Sequence, residues 1–381
     1  MSLNPNATAA ADLLAYAPNV THGLGRITEG IMARGSGSYV TYADGRKMLD
    51  FTCGIGVTSL GHCHPKVSAA AAEQCMQLVH GQCSIAFTRQ AAAMMPHPSL
   101  DSFFFWNSGS EAVEAALKLA RIATGRQNII CMQGAYHGRT FGAMAVTRSK
   151  TIYSAGVAPL MPGVFTTPFP FWHQLGLEPS ASTPALVEQY TAAIIVEPVL
   201  GEGGYVPAPP AFLAGLRAVC DKHGMLLIAD EVQSGFARTG RFFAIEESGV
   251  RPDVMVIAKG LANGFPLSGV VSRKELTDKL PPGSMGGTYA GNAVSCAAAC
   301  AAVKAAHPSH VIDVRGRGLM VAVEFTGAGV AARVAKKCVE RGMLILTTSV
   351  YEVVRFIPPL NIAAADLAKG AEYSRRRWRR L

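Results

Sequence analysis

Two residues in this chain sit where polarity argues against them. Asp230 closes the apolar run Leu226-Leu227-Ile228-Ala229, and Lys259 follows Val254-Met255-Val256-Ile257-Ala258. Short apolar runs ended by a charge read as strands of a parallel sheet, and open α/β sheets hold their ligands at the carboxyl ends of such strands. If the two strands are neighbours, an acid and an amine face one crevice. That pair suits two chemistries. The amine can condense with a substrate carbonyl, or it can hold pyridoxal phosphate while the acid keeps the ring nitrogen protonated.

Other polar residues point at the same edge. Glu197 ends the run Ala192-Ala193-Ile194-Ile195-Val196, with Gly201-Glu202-Gly203-Gly204 close behind. The turn Asn107-Ser108-Gly109-Ser110 opens a helix over Glu111–Ala123, with Glu111 and Glu114 in its first turn. Serine and unpaired N–H groups at a helix start form a phosphate cradle without a Walker lysine. Tyr136-His137-Gly138-Arg139 follows the strand Asn128–Met132, offering an aromatic ring for a planar ligand and a guanidinium for a carboxylate. Gly61-His62-Cys63-His64-Pro65 reads as a turn rather than a metal site, since adjacent side chains of an extended chain point to opposite faces.

The elements that must carry these residues are legible in outline. Residues 1–35 read as a helix and an irregular lead-in. Asp44-Gly45 between Ser38–Tyr42 and Lys47–Phe51 signals a hairpin. A helix is expected over Lys66–Leu78, a strand over Phe103–Trp106, a long loop over Tyr153–Pro184 and a helix over Pro210–His223. Cys53–Val57 reads as loop. Beyond Lys259 come a strand over Leu267–Val271 and a buried helix over Ala293–Ala306. The tail adds strands over Leu319–Phe325, Met343–Thr347 and Val353–Phe356 and a helix over Val330–Arg341, the pattern of a smaller α+β domain.

Composition sets the class. With 49% hydrophobic and 16% charged residues, the chain has enough apolar surface to bury a large core. No apolar run approaches the roughly 20 residues that span a bilayer, and the first 25 residues hold no Lys or Arg for a signal or transit peptide. Nine cysteines without a CxxC pair fit reduced thiols in the cytoplasm. The net charge of +9 suggests nucleic acid until five arginines in the last seven residues are set aside as a solvated tail. Neither nucleic acid nor membrane is an expected partner.

Taken together, NSGSEAVEAALKLAR, GAYHGRT, EPVLGEGG, LLIADEVQSGFARTG, PDVMVIAKGLANGFPLSGVV, GGTYAGN and VVRFIPPL resemble the class-III pyridoxal-phosphate-dependent aminotransferases, over about Gly35 to Pro359. GAYHGRT, the Tyr153–Gly163 run and GGTYAGN are most similar to the 4-aminobutyrate branch. The resemblance implies an α/β, fold-type-I transferase, with a mostly parallel central sheet in a large domain at 51–302 and a smaller α+β domain from 1–50 and 303–381. It implies pyridoxal 5'-phosphate as cofactor, Lys259 as the Schiff-base lysine and proton carrier, and Asp230 as partner of the pyridine nitrogen. Gln233 would meet the ring's phenolic oxygen, and Gly109 and Ser110 the phosphate. Tyr136 would cover the ring with His137 beside it, and Glu197 would lie near the cofactor. Thr288 would reach the cofactor phosphate of the neighbouring subunit, so a homodimer is expected. Arg139 and Arg355 would bind substrate carboxylates, with Glu202 masking Arg355 in one half of the reaction.

The implied activity is transamination between an ω-amino acid resembling 4-aminobutyrate and a 2-oxo acid such as 2-oxoglutarate. Ornithine or acetylornithine is the alternative donor. Departures from the family pattern lie at Thr88–Asp101 and at His307–Gly316, where connections are short, and in the Arg-rich end. They keep open an impaired paralogue with a truncated small domain, a binding or scaffold protein among its forms.

Overall fold

The computed structural model of the chain describes residues 27–28, 30–82, 85–86, 100–170, 191–305, 319–324, 329–348 and 352–378. The expected N-terminal helix, the shortened connections at 87–99 and 307–316, and Arg379 and Arg380 lie outside them.

Strands β1 (Met32–Ser36), β2 (Tyr39–Tyr42) and β3 (Lys47–Asp50) form an antiparallel meander, the second pair joined by the Asp-Gly turn. Helix α1 (Pro65–Gln77) begins on its proline. Strand β4 (Ser102–Trp106) leads into α2 (Gly109–Thr124), and β5 (Asn128–Met132) into α3 (Phe141–Val146). β6 (Val164–Thr167) and β7 (Thr191–Val196) follow, then the short hairpin β8 (Val199–Leu200) and β9 (Val206–Pro207). Helix α4 (Pro210–His223) returns the chain to β10 (Leu226–Asp230), β11 (Val254–Ile257) and β12 (Ser268–Ser272), before α5 (Ala293–Ala305). The remainder supplies β13 (Val321–Glu324), α6 (Val330–Glu340), β14 (Met343–Leu344), β15 (Leu346–Thr347), β16 (Val353–Phe356) and α7 (Ala364–Trp378).

Seven strands form the central sheet in the order β4-β12-β11-β10-β7-β5-β6. Only β12 runs against the others, so the sheet is mostly parallel. Its strands alternate between two apolar layers, as the period of two requires. On β7, Ala193 and Ile195 pack under α2, against Ala112, Ala116 and Leu119, while Ile194 and Val196 pack under α4, against Leu213 and Leu216. Helix α2 therefore lies across one face of the sheet, touching β12, β11, β10 and β7. It is closed at one end by a reciprocal Ser108–Glu111 capping box and at the other by Gly125 at φ 68°.

Three expectations need correction. The segment read as a long loop contains β6, a four-residue strand at the sheet's edge, too short and too closely flanked by Gly163 and Pro168 to show a period. The expected strand Met343–Thr347 is two strands, because the chain changes sheets at Ile345. β14 pairs with β3 and β15 with β16. The C-terminal residues read as a solvated tail are helical through Trp378. Cys53–Gly56 turns on itself with Gly54 and Ile55 in the left-handed region, so the loop reading describes it better than a helix does. Among the described residues, no helix is long and apolar enough to cross a membrane, and none of the eight cysteines there forms a disulfide.

Candidate active site

Six chain segments reach one edge of the central sheet. β4, β5, β7, β10 and β11 arrive by their carboxyl ends, and β12 starts there because it alone is reversed. Together they line a cleft of about 300 Å³ whose walls include Ser110, Tyr136, Glu197, Asp230, Gln233 and Lys259.

Asp230 and Lys259 do share that crevice. β10 and β11 are paired in parallel, with Asp230 opposite Val256, three residues before the lysine. Lys259 holds φ at 47°, in the left-handed region that an L side chain rarely adopts. It opens a one-turn 3-10 helix, Lys259–Leu261. Burial drives its ammonium well below the ordinary lysine range; Asp230, Glu202 and Glu197 pull it back up, and Arg355 pushes it further down. The amine is thus biased toward the neutral form needed to attack a carbonyl or accept a proton.

Asp230 is buried and fixed at both oxygens. Its Oδ1 accepts from the Val232 amide at 3.0 Å, and Oδ2 lies 2.7 Å from Nδ1 of His137. The sequence places His137 beside the ring cover; its imidazole is instead turned onto Asp230, with the ring wholly buried and Nε2 unpartnered. His137 thereby acts on a ligand through Asp230.

The phosphate cradle is narrower than expected. Glu111 engages the amides of Asn107 and Ser108, and Ser108 is used as the N-cap. That leaves the helix-start N–H groups of Gly109 and Ser110, where the helix dipole favours an anion. Gly138 must be glycine here: φ is 135°, and a Cβ would sit 2.3 Å from the Ser110 hydroxyl.

Glu197 bridges two loops, accepting from the Tyr136 and Gly201 amides at 2.9 Å each. Burial, reinforced by Asp230 and opposed by His137, brings its carboxyl to about 7. Gln233 lines the cleft, and its Oε1 is buried without a partner. Tyr136 packs edge-on to Tyr153 at 5.4 Å. Arg139 lies over the Tyr153 ring at 4.4 Å and donates from Nε to the Tyr136 hydroxyl at 3.1 Å. Arg355, on β16, is 3% exposed and meets Glu202 at 2.9 Å. Thr288 is exposed and does not line the cleft of its own chain.

Some contributors carry no signal in the sequence. Arg238 is fully buried and donates to the carbonyl of Pro358 at 2.6 Å, tying the loop after β10 to the segment after β16. Glu231, next to Asp230 but on the strand's other side, accepts from Ile245 N at 2.7 Å and from the Ser234 hydroxyl. Only the alternation of side chains along β10 hinted that it faces away from the cleft.

The aminotransferase class-III family model matches residues 25–312 and 304–375. The chain belongs to the class-III aminotransferases. It is 38% identical to 5-aminovalerate aminotransferase DavT of Pseudomonas aeruginosa, over 92% of this chain and 94% of that protein. It is 36% identical to 4-aminobutyrate aminotransferase GabT of Escherichia coli (93% and 94%) and 39% identical to acetylornithine aminotransferase of Methanopyrus kandleri (88% and 90%). The ornithine aminotransferase structure from Toxoplasma gondii, described with pyridoxal phosphate at its active site, superimposes with a TM-score of 0.84 at 28% identity, over 97% of this chain and 94% of that one. Class-III aminotransferases are pyridoxal-phosphate enzymes, and the site fits that cofactor. It offers two helix-start amides for a phosphate, a fixed carboxylate for a ring nitrogen, an unmatched carboxamide and an amine held toward neutrality.

Proposed function

We propose that this aminotransferase moves an amino group from an ω-amino acid of the 4-aminobutyrate type to a 2-oxo acid such as 2-oxoglutarate, working as a homodimer. The Arg355–Glu202 pair carries this reading. A buried guanidinium with a removable acidic partner fits a pocket that takes two kinds of substrate in turn. While Glu202 covers Arg355, Arg139 is the cation that would meet a carboxylate, which suits a donor whose amine lies far from its single carboxyl. When Glu202 withdraws, Arg355 accepts the second carboxylate of a 2-oxo diacid.

Pyridoxal phosphate, when bound, supplies an electrophilic carbonyl and an electron-accepting ring. The chain supplies the rest. Gly109 and Ser110 would hold the phosphate, Gln233 the phenolic oxygen and Asp230 the ring nitrogen, with Tyr136 over the ring. Neutral Lys259 would take the proton from the donor's amino carbon at Nζ and, in the second half-reaction, give one to C2 of the 2-oxo acid, which becomes the amine-bearing carbon. Arg139 orients the substrate, and the apolar walls around Val57, Phe265 and Leu267 exclude water.

Sheet membership supports a large domain over 51–302. The strands of 32–50 and 343–344 share a second sheet, as a smaller domain drawn from 1–50 and 303–381 would require. Tyr289, next to Thr288 in sequence, and Val79, whose carbonyl accepts from Asn292, are 66% and 57% exposed, and this exposed apolar surface supports the dimer. The intact set of Lys259, Asp230, Gln233 and Arg139 favours a working enzyme over an impaired paralogue.

The deciding experiment measures glutamate formed from 2-oxoglutarate with 4-aminobutyrate, 5-aminovalerate, ornithine and N-acetylornithine as donors. We expect the ω-amino monocarboxylates to lead. Preference for ornithine or N-acetylornithine would establish the alternative that the acetylornithine relatives raise. Lys259→Ala should abolish the visible band of the bound cofactor and cut turnover at least about 100-fold, the low end for a positioned proton carrier.

A further inference from the structure

One aromatic residue beside Arg355 is unexplained by the roles above. Tyr205 follows Gly203-Gly204 and starts toward β9, with its amide bonded to the Leu200 carbonyl at 2.8 Å. Its φ is 60°, a conformation that a bulky side chain seldom holds and a third glycine would adopt without strain. The backbone alone therefore gives no reason for tyrosine. The side chain is 7% exposed, and the Arg355 guanidinium lies 5.5 Å from the ring centroid.

The hydroxyl is the informative atom. It lies next to the guanidinium, yet both Tyr205 Oη and Arg355 Nε are buried without a hydrogen-bond partner. A phenol beside a cation can accept from it but cannot donate to it. What the O–H lacks is an acceptor, and the acceptor that complements a neighbouring guanidinium is an anion. Glu202 is engaged at Arg355 Nη1 and gives the phenol no bond, so among the described residues no anion meets this hydroxyl. Burying an unsatisfied hydroxyl lowers stability, which argues that it is kept for a ligand.

We propose that Tyr205 is a substrate-specificity residue of this aminotransferase, its ring carrying the Arg355 guanidinium and its hydroxyl donating to the 2-oxo acid carboxylate that displaces Glu202. The proposal rests on the reading of Arg355 as a carboxylate-binding residue. The ring provides a face on which the cation stays put when Glu202 leaves. The hydroxyl adds a donor that the first substrate, held at Arg139, does not meet. The two half-reactions should therefore respond differently to changes at Tyr205.

The test uses holoenzyme of wild type, Tyr205→Phe, Tyr205→Leu and Arg355→Lys. Each half-reaction is followed separately by the cofactor's visible spectrum, with the best ω-amino donor in one arm and 2-oxoglutarate in the other. For Tyr205→Phe we expect an apparent affinity for 2-oxoglutarate about tenfold weaker, from loss of one hydrogen bond to a charged group. The donor half-reaction should stay within about twofold, and the melting temperature should be unchanged or higher. Tyr205→Leu should weaken 2-oxoglutarate binding further. Equal losses in both half-reactions, a lower melting temperature for Tyr205→Phe with no difference between the arms, or no change at all would overturn the proposal. If Arg355→Lys also leaves 2-oxoglutarate affinity untouched, the reading of Arg355 fails as well; if Arg355→Lys weakens it and the Tyr205 variants do not, only Tyr205 is wrongly assigned.

Discussion

At the scale of single residues, the site works by fixing charges rather than by adding them. Asp230 has each oxygen held, one by the Val232 amide and one by His137, so the carboxylate cannot rotate away from a ring nitrogen. Such preorganised groups act mainly on the transition state. Asp230→Ala should thus lower kcat by about 10²–10³, as loss of a preorganised electrostatic partner does. Affinity for pyridoxal phosphate should weaken by less than about tenfold. Turnover and a cofactor titration on one preparation check this; equal losses in both would make Asp230 a binding residue. The residue types at Asp230, Lys259 and Glu197 were legible because each interrupts an apolar strand. His137 was legible only as a neighbour of Tyr136, since the contact with Asp230 spans 93 positions. Arg238 left no trace, because two of its acceptors are backbone carbonyls that any sequence provides and the third, the Ser59 hydroxyl, lies 179 positions away.

At the scale of elements, strand ends bring the chemistry together and strand alternation hides what supports it. β10 ends in Asp230, which faces the cleft, and Glu231, which faces the 244–245 turn. Burial raises the Glu231 carboxyl to about 7 against the ordinary 4.5, with Ser234 and Ile245 only partly offsetting it. The folded chain therefore binds this proton more tightly than the unfolded one. No effect is expected below pH 4.5, stability falls as pH rises to about 7, and the penalty is constant above that. Its full size is roughly 3 kcal/mol. Glu231→Gln keeps an acceptor for Ile245 and removes the titration. Its melting temperature should match wild type near pH 4.5 and exceed it at pH 8; parallel pH profiles would show that the site is not protonated as inferred. Helices and strands of the central sheet were legible from period and capping, to within a residue or two over Pro210–His223 and Asn128–Met132. The break at Ile345 was not, because a continuous apolar run cannot show which sheet each half joins.

At the scale of the whole molecule, Thr288 is the residue that a single chain does not explain. It lies outside its own cleft, and the dimer reading assigns it to the partner's phosphate. Two crippled subunits should then rescue each other. Lys259→Ala removes one site's amine and leaves its Thr288, whereas Thr288→Ala weakens the opposite site. Mixed dimers of the two variants should contain one complete site and regain cofactor affinity that Thr288→Ala homodimers lack. A mixture no better than the average of its parents would place Thr288 outside the partner's site.

The split at Ile345 has a mechanical meaning. Starting at Arg355, the ladder runs from β16 to β15, through one buried residue to β14, and across to Leu49 and Asp50. The Asp50 carboxylate then grips Thr52 and the amide of Cys53, four residues before Val57 on the cleft wall. Arg355 and Val57 are thus joined through two short sheets, one linking residue and the Asp50 carboxylate. Ile345 links the strand paired with that of Arg355 directly to the strand that lies beside Asp50.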